Sequence, residues 1–273
     1  MLENKVTILT GAAGGIGSET ARLFGEKGAI LVLTDIHEDR LKNLEGELNP
    51  LGVETLSVIH DVADPESWKN LIDKVKIKFG RIDILINNAG VVEPGPAEQI
   101  STEKVMQQMN VNLLGTIYGC RAVLPTLKEQ DSGNIVNVAS LGGIVPLPGE
   151  AVYSATKFGI RGYSFSLFAE LRKYNIGVTV VCPDSVDTPQ HDYELKYDDA
   201  VLSFIGSPLK PEQMAKSILK AVRKKKAEIL VPTSMGLICR IGMAYPKVYI
   251  MLLPILEKLG SSEIKKRRIK KGV

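Results

Sequence analysis

The feature that most restricts how this chain can fold is an alternation of short apolar runs with longer segments of helical periodicity. The runs are Val6 to Thr10, Ile30 to Thr34, Thr55 to Ile59, Ile82 to Ile86, Asn134 to Val138, Val178 to Val181 and Ile229 to Val231. Between them lie helix-period segments from Ile16 to Lys27, Leu41 to Leu48, Pro65 to Phe79, Glu103 to Leu127 and Val152 to Tyr174, and another begins at Pro211. Gly28, Gly52 and Gly80 fall where helices should stop, and Pro65 and Pro211 where they should start. Strands alternating with helices join in parallel through crossovers. Several runs are apolar at successive positions, as in strands covered on both faces. The expectation is an α/β fold, a doubly wound parallel sheet flanked by helices. No internal repeat or linker divides it, and 273 residues can bury a core without disulfides or metals.

Such sheets bind ligands at the carboxyl ends of their strands. After the first run comes Thr10-Gly11-Ala12-Ala13-Gly14-Gly15-Ile16-Gly17. Glycines permit a tight turn and close approach of a pyrophosphate, and the helix that follows offers free N–H groups to it. Asp35 ends the second run, where a dinucleotide fold places its ribose-binding acid. A carboxylate there accepts from ribose hydroxyls and repels a 2′-phosphate, and Ala13 supplies no cation for that phosphate, which favours NAD(H) over NADP(H). A second reading of Asp35, as the cap of the next helix, stays open. Asp61 and Val62 end the third run, suited to adenine's amino group and ring. Asn88, Ala89 and Gly90 end the fourth, behind Asn87, which either supports the site or contacts the ligand.

Tyr153 and Lys157 are four residues apart at the start of a helical segment, so they share one face. An ammonium beside a phenol favours the phenolate, and a phenol so tuned can exchange a proton with an alcohol or a carbonyl. Ser140 ends the fifth run and could hold a substrate oxygen toward Tyr153. Asn112 breaks the long fourth helix, where asparagine is a poor former, and could hold water for a proton relay to Lys157.

Taken in order, Thr10-Gly11-x3-Gly15-x-Gly17, Asp61-Val62, Asn87-Asn88-Ala89-Gly90, Asn112, Ser140 and Tyr153-x3-Lys157 resemble the short-chain dehydrogenase/reductase family over residues 5–190. The resemblance implies a Rossmann-like domain of about seven strands, and a homodimer or homotetramer. It assigns Tyr153 as acid/base and Ser140 as substrate-orienting. Lys157 would lower the Tyr153 pKa and bind the nicotinamide ribose, Asn112 would maintain the relay, and Thr188 would bond the nicotinamide carboxamide. One departure stands out: Pro183 is followed by Asp184 where the family has glycine. Asp184 either adopts a left-handed backbone or reshapes the substrate mouth.

By family position, residues 190–209 form a substrate lid on a 1–234 domain, leaving 235–273 as an apolar extension with a basic tail. The extension runs from Met235 to Leu259, interrupted by Arg240, Pro246 and Lys247, and then reaches Lys265-Lys266-Arg267-Arg268-Ile269-Lys270-Lys271. No clean run of about 20 apolar residues spans it. Two readings lead: a packing or pocket-covering extension with a solvated tail, and a peripheral membrane contact. Either makes a lipophilic substrate more plausible.

Composition removes other classes. The net charge of +3 is too small to suggest nucleic-acid binding. Cys120, Cys182 and Cys239 form no CxxC pair, and His37, His60 and His191 have no ligand spacing, so no metal site is expected. Met1 to Lys5 leads straight into the first run without a secretory signal, which points to a cytoplasmic location, with membrane association through the extension. The functional expectation is an NAD(H)-dependent oxidoreductase interconverting a secondary alcohol and a ketone. A nucleotide-sugar epimerase or dehydratase, and a non-catalytic NAD(H)-binding protein, are the competing readings. The glycine spacing also suits the former, but the Asn87-Asn88-Ala89-Gly90 turn, Asn112 and the short C-terminal region argue against it, and Asn112 with Ser140, Tyr153 and Lys157 argues against the latter.

Overall fold

The computed structural model describes residues 2–271. Seven strands form one parallel sheet: β1 (Val6–Thr10), β2 (Ile30–Asp35), β3 (Thr55–Ile59), β4 (Ile84–Asn87), β5 (Gly133–Val138), β6 (Ile176–Pro183) and β7 (Glu228–Val231). Their spatial order is β3-β2-β1-β4-β5-β6-β7. The chain therefore reverses direction across the sheet between β1 and β4, and a crevice opens at their carboxyl ends.

Helices α1 (Gly15–Glu26), α2 (Glu38–Leu48), α3 (Pro65–Phe79), α4 (Thr102–Gln108), α5 (Gly115–Glu129) and α6 (Ala151–Glu170) follow in chain order, then α7 (Pro189–Glu194), α8 (Pro211–Lys224), α9 (Thr233–Ala244) and α10 (Pro246–Lys271). Side chains alternate along each strand, so every central strand feeds two cores. Leu9, Leu31 and Leu33 pack with Phe24 of α1, Leu44 of α2 and Ile218 of α8. Ile8 and Val32 face the other way, onto Trp68 of α3, Val123 of α5 and Leu167 of α6. Each fully buried leucine or isoleucine there contributes about 1.5–3 kcal/mol.

Local chemistry sets the helix ends. Asp64 caps α3 by accepting from the Glu66 N–H at 2.9 Å, Pro65 occupies its first turn, and Gly80 ends it in the left-handed region at φ 69°.

The segment expected as one helix over 103–127 is two, joined by a π-helical turn at Met109–Leu114 that carries Asn112. The lid region folds as α7 and a 3₁₀ turn at Val201–Phe204. The extension is helical to Lys271; in its basic end Lys265, Lys266, Lys270 and Lys271 are exposed, while Arg267 and Arg268 are partly buried. Ile264 is buried with Leu195, Val201 and Phe204 of the lid, and Arg268 Nε donates to the Leu195 carbonyl at 2.8 Å. Among the described residues, no helix is long and apolar enough to cross a membrane.

Candidate active site

Two clefts meet at the crevice. The first is lined by the glycine turn and the ends of β2, β3 and β4, and includes Gly11, Gly15, Ile16, Asp35, Asp61, Val62, Asn88, Ala89, Gly90 and Thr188. Counting the part that opens to solvent, it holds about 1170 Å³ of empty space. The second holds Ser140, Tyr153, Lys157 and Asp184 and shares Ile16, Asn88, Gly90, Thr188 and Gln190 with the first. The residues picked from sequence as cofactor-binding thus fall largely in one cleft, and the proton-handling residues in its neighbour.

The glycine turn is built for close approach. Gly11 sits at φ 62°, and a Cβ there would lie 2.9 Å from the Ala89 Cα. Gly17 stands behind the cleft, where any side chain would collide with the Gly11 carbonyl and Ala12. Gly14 caps α1 without a side-chain partner, leaving first-turn N–H groups free for an anion. The turn is tied to its neighbours by side chains. Asn88 Nδ2 donates to the carbonyls of Thr10 and Gly11, both at 3.1 Å, and Thr10 Oγ1 accepts from the N–H groups of Asn88 and Ala89.

Asp35 is buried and accepts from the Ala13 N–H at 3.1 Å and the His37 N–H at 3.0 Å. It therefore braces the turn while facing the cleft, beside exposed Ile36 and Arg40. Val62 forms a buried wall, and its carbonyl accepts from Trp68 Nε1 at 2.9 Å. Asp61 is exposed at the cleft rim. Thr188 reaches across to Gly15, where a Cβ would meet its methyl at 2.7 Å. Asn87 takes the supporting role: its amide is buried and donates to Asn137 Oδ1 at 2.9 Å.

Lys157 Nζ donates to the Val138 carbonyl at 3.1 Å and lies 5.4 Å from the centre of the Tyr153 ring. Burial pushes its ammonium down to about 8. Gly90 sits beside it, since a Cβ there would be 3.5 Å from Lys157 Nζ and 3.4 Å from Asn112 Oδ1. Asn112 lines neither cleft. Its Oδ1 accepts from the Val91 N–H, and its Nδ2 donates to the Val91 carbonyl, both at 2.8 Å, and to Thr156 Oγ1 at 3.1 Å. Ser140 Oγ accepts from the Gly142 N–H at 3.0 Å.

The surroundings of Tyr153 act on its titration in both directions. Burial raises its pKa, the Glu194 and Glu150 carboxylates raise it further, and the polar side chains of Ser140 and Gln190 act in the opposite direction. Neither glutamate carries a sequence signal of its own. Glu150 precedes Tyr153 by three residues, but Glu194 reaches the cleft because α7 folds beside it.

Asp184 does not adopt the left-handed backbone. It is not among the residues with positive φ, its N–H donates to the Val231 carbonyl at 2.7 Å, and it lines the second cleft. Burial raises its carboxyl pKa. No described residue of α9 or α10 lines either cleft, so the apolar extension gives no direct argument for a lipophilic substrate.

Comparison with known proteins bears on the family and the fold. A family profile described as short chain dehydrogenase matches residues 5–197. An uncharacterized oxidoreductase of Staphylococcus saprophyticus is 35% identical over 248 residues, covering 86% of this chain and 99% of that one. The 3-oxoacyl-(acyl-carrier-protein) reductase FabG of Thermotoga maritima is 37% identical over 221 residues, covering 80% and 90%. Among solved structures, a short chain dehydrogenase/reductase from Burkholderia phymatum in complex with NAD superposes with a TM-score of 0.84 at 24% identity, covering 91% and 96%, a likeness of fold. An actinorhodin polyketide ketoreductase with NADPH gives 0.78 at 28% identity, covering 84% and 95%.

Proposed function

The chain belongs to the short-chain dehydrogenase/reductase family, and on that premise we propose that it is an NAD(H)-dependent oxidoreductase interconverting a secondary alcohol and a ketone. The observation that carries this reading is the convergence of Ser140, Tyr153 and Lys157 on a cleft continuous with the one walled by the glycine turn and Asp35. The residues fit a dinucleotide: free N–H groups at the start of α1 suit a pyrophosphate, and the Asp35 carboxylate suits ribose hydroxyls and disfavours a 2′-phosphate. Arg40 beside it is the one feature of that wall which would welcome such a phosphate. A nicotinamide bound there would exchange a hydride with the substrate carbon.

The protein's own part is proton handling and orientation. Ser140 Oγ holds the substrate oxygen. Tyr153 takes the alcohol proton in oxidation and returns it in reduction. Lys157 keeps positive charge behind the phenol and would hold the nicotinamide ribose of a bound cofactor. Thr188 would bond its carboxamide. Asn112 fixes the Val91 backbone and with it Gly90, next to Lys157. Proton transfer by a positioned group is worth about 10²–10⁴-fold in rate, so Tyr153→Phe should lower turnover of a ketone panel at least about 100-fold while leaving NADH binding and Tm in place. Full activity in that variant would remove the reading, and tighter binding of NADPH than NADH would remove the choice of cofactor.

A finer element of the proposal concerns α9 and α10. Their exposed apolar face is suited to an anionic lipid surface, and that contact would bring lipophilic alcohols or ketones close to the enzyme.

A further inference from the structure

The basic end of α10 is bound to the lid by contacts that lead inward to the phenol. Arg267 Nη1 lies 2.9 Å from His191 Nε2. Arginine only donates, so Nε2 must accept, and the neutral imidazole then carries its hydrogen on Nδ1. Nδ1 faces Glu194 Oε2 at 3.5 Å; that is long for a hydrogen bond, but Nδ1 is sealed from solvent and has no other acceptor. The imidazole is packed against a neighbouring ring. It stacks on Phe204 with ring centres 4.4 Å apart and planes 21° from parallel, and Arg267 lies over the same ring at 5.4 Å. Arg267 is itself held by the Gly206 carbonyl, and α10 is pinned nearby by Arg268 to Asp198 at 2.8 Å. On the cleft side, Glu194 accepts from Gln190 Nε2 at 3.3 Å, and both line the cavity of Tyr153.

We infer that Arg267 is a positioning residue of the active site, acting through His191 to hold the Glu194 carboxylate beside the phenol of Tyr153, so that α10 completes the site from outside the Rossmann-like core. The inference rests on the oxidoreductase reading only for its kinetic test. The charged and titratable groups around the phenol are Lys157 and Glu150 from α6 and its N-cap, Glu194 and His191 from α7, and Asp184 after β6. Of these, His191 touches α10 directly through Arg267, and Glu194 lies next to His191 on the cleft side. A carboxylate held near a phenol opposes its ionisation. Loosening that hold makes the phenol easier to ionise, so the rising limb of alcohol oxidation should move to lower pH.

The test has two arms, both on the full-length protein. In the kinetic arm, Arg267→Met should lower the midpoint of kcat/KM for alcohol oxidation by about half a pH unit or more. Arg267→Lys, which keeps a donor, should restore the midpoint. Glu194→Gln should shift it in the same direction, and adding Arg267→Met in that background should move it no further, as expected for residues acting in series. Additive shifts, or a midpoint that Arg267→Met leaves in place, overturn the inference while leaving the oxidoreductase reading standing. The second arm needs no substrate: amide hydrogen exchange across 190–206 should be at least about tenfold faster in Arg267→Met than in Arg267→Lys. Equal exchange in the two variants overturns the inference even for an enzyme whose alcohol is unknown.

Discussion

Glu150 closes the N-terminus of α6 and is 2% exposed, with Oε1 accepting from Ser203 Oγ at 2.9 Å. Burial, and then the Glu194 carboxylate, push its carboxyl well above the ordinary range. An acid whose folded-state pKa lies above its unfolded value binds more protons when folded, so stability falls as pH rises between the two values. Glu150→Gln removes that dependence and can keep the Ser203 contact. Its gain in Tm over wild type should therefore be larger near pH 8 than near pH 5, at about 2–4 °C per kcal/mol for a chain of this size. Thermal unfolding at both pH values measures it, and a gain independent of pH would show that Glu150 is not the group that titrates. The same acids bear on specificity. With Glu150, Asp184 and Glu194 lining the cleft against Lys157, a ketone bearing a carboxylate should show kcat/KM about tenfold or more below its neutral isostere at a pH above about 8, where Glu150 is ionised. Equal rates for the pair would mean that the acids are neutral when substrate binds.

The π-helical turn at Met109–Leu114 is the element that couples the α4–α5 pair to the site. It turns Asn112 inward so that one amide serves both backbone groups of Val91, just past the Asn-Asn-Ala-Gly turn. Asn112→Ala would leave the partly buried N–H and C=O of Val91 without their partner, each worth up to about 1–3 kcal/mol, so a loss on the order of 1–3 kcal/mol should appear in denaturant unfolding, with a fall in kcat as Gly90 loosens beside Lys157. A loss below about 0.5 kcal/mol would mean that water replaces the amide. This element also marks where sequence reasoning ran out. Asparagine at 112 signalled a break in a helix, but the apolar face runs through it, so periodicity merged α4 and α5 into one segment. The sheet was legible because strands covered on both faces leave continuous apolar runs and the βα turn demands glycine at 11 and 17. The fourth strand begins at Ile84 rather than Ile82, because Ile82 is buried before pairing with β1 starts. The acids around Tyr153 were invisible because their partners, Glu150 with Ser203 and His191 with Arg267, lie far apart in the chain.

Across the whole molecule, the apolar surface is unevenly distributed. Ile238, Ile241, Val248, Ile250, Met251 and Ile255 of α9 and α10 are all more than half exposed, while the far end of α10 is locked onto the lid. Residues 233–256 contain Arg240 and Lys247 and no aspartate or glutamate. An acid-free apolar face with an exposed lysine complements an anionic lipid surface better than it complements water. The segment is also joined to the active site, since Tyr249 donates to the Pro146 carbonyl in the loop after Ser140. The protein should therefore cosediment with vesicles containing anionic lipid and much less with neutral ones, and salt should weaken the binding because each cation near the surface contributes about 1 kcal/mol. Replacing Ile241, Ile250 and Met251 together by serine should abolish cosedimentation while leaving the sheet, the clefts and NADH binding intact, because none of the three lines a cleft. If the triple variant instead changes a dimer or tetramer into a smaller species, with vesicle binding equally weak before and after, the face belongs to a second copy of the chain. The link between lipid and the lid would then be replaced by one between subunits.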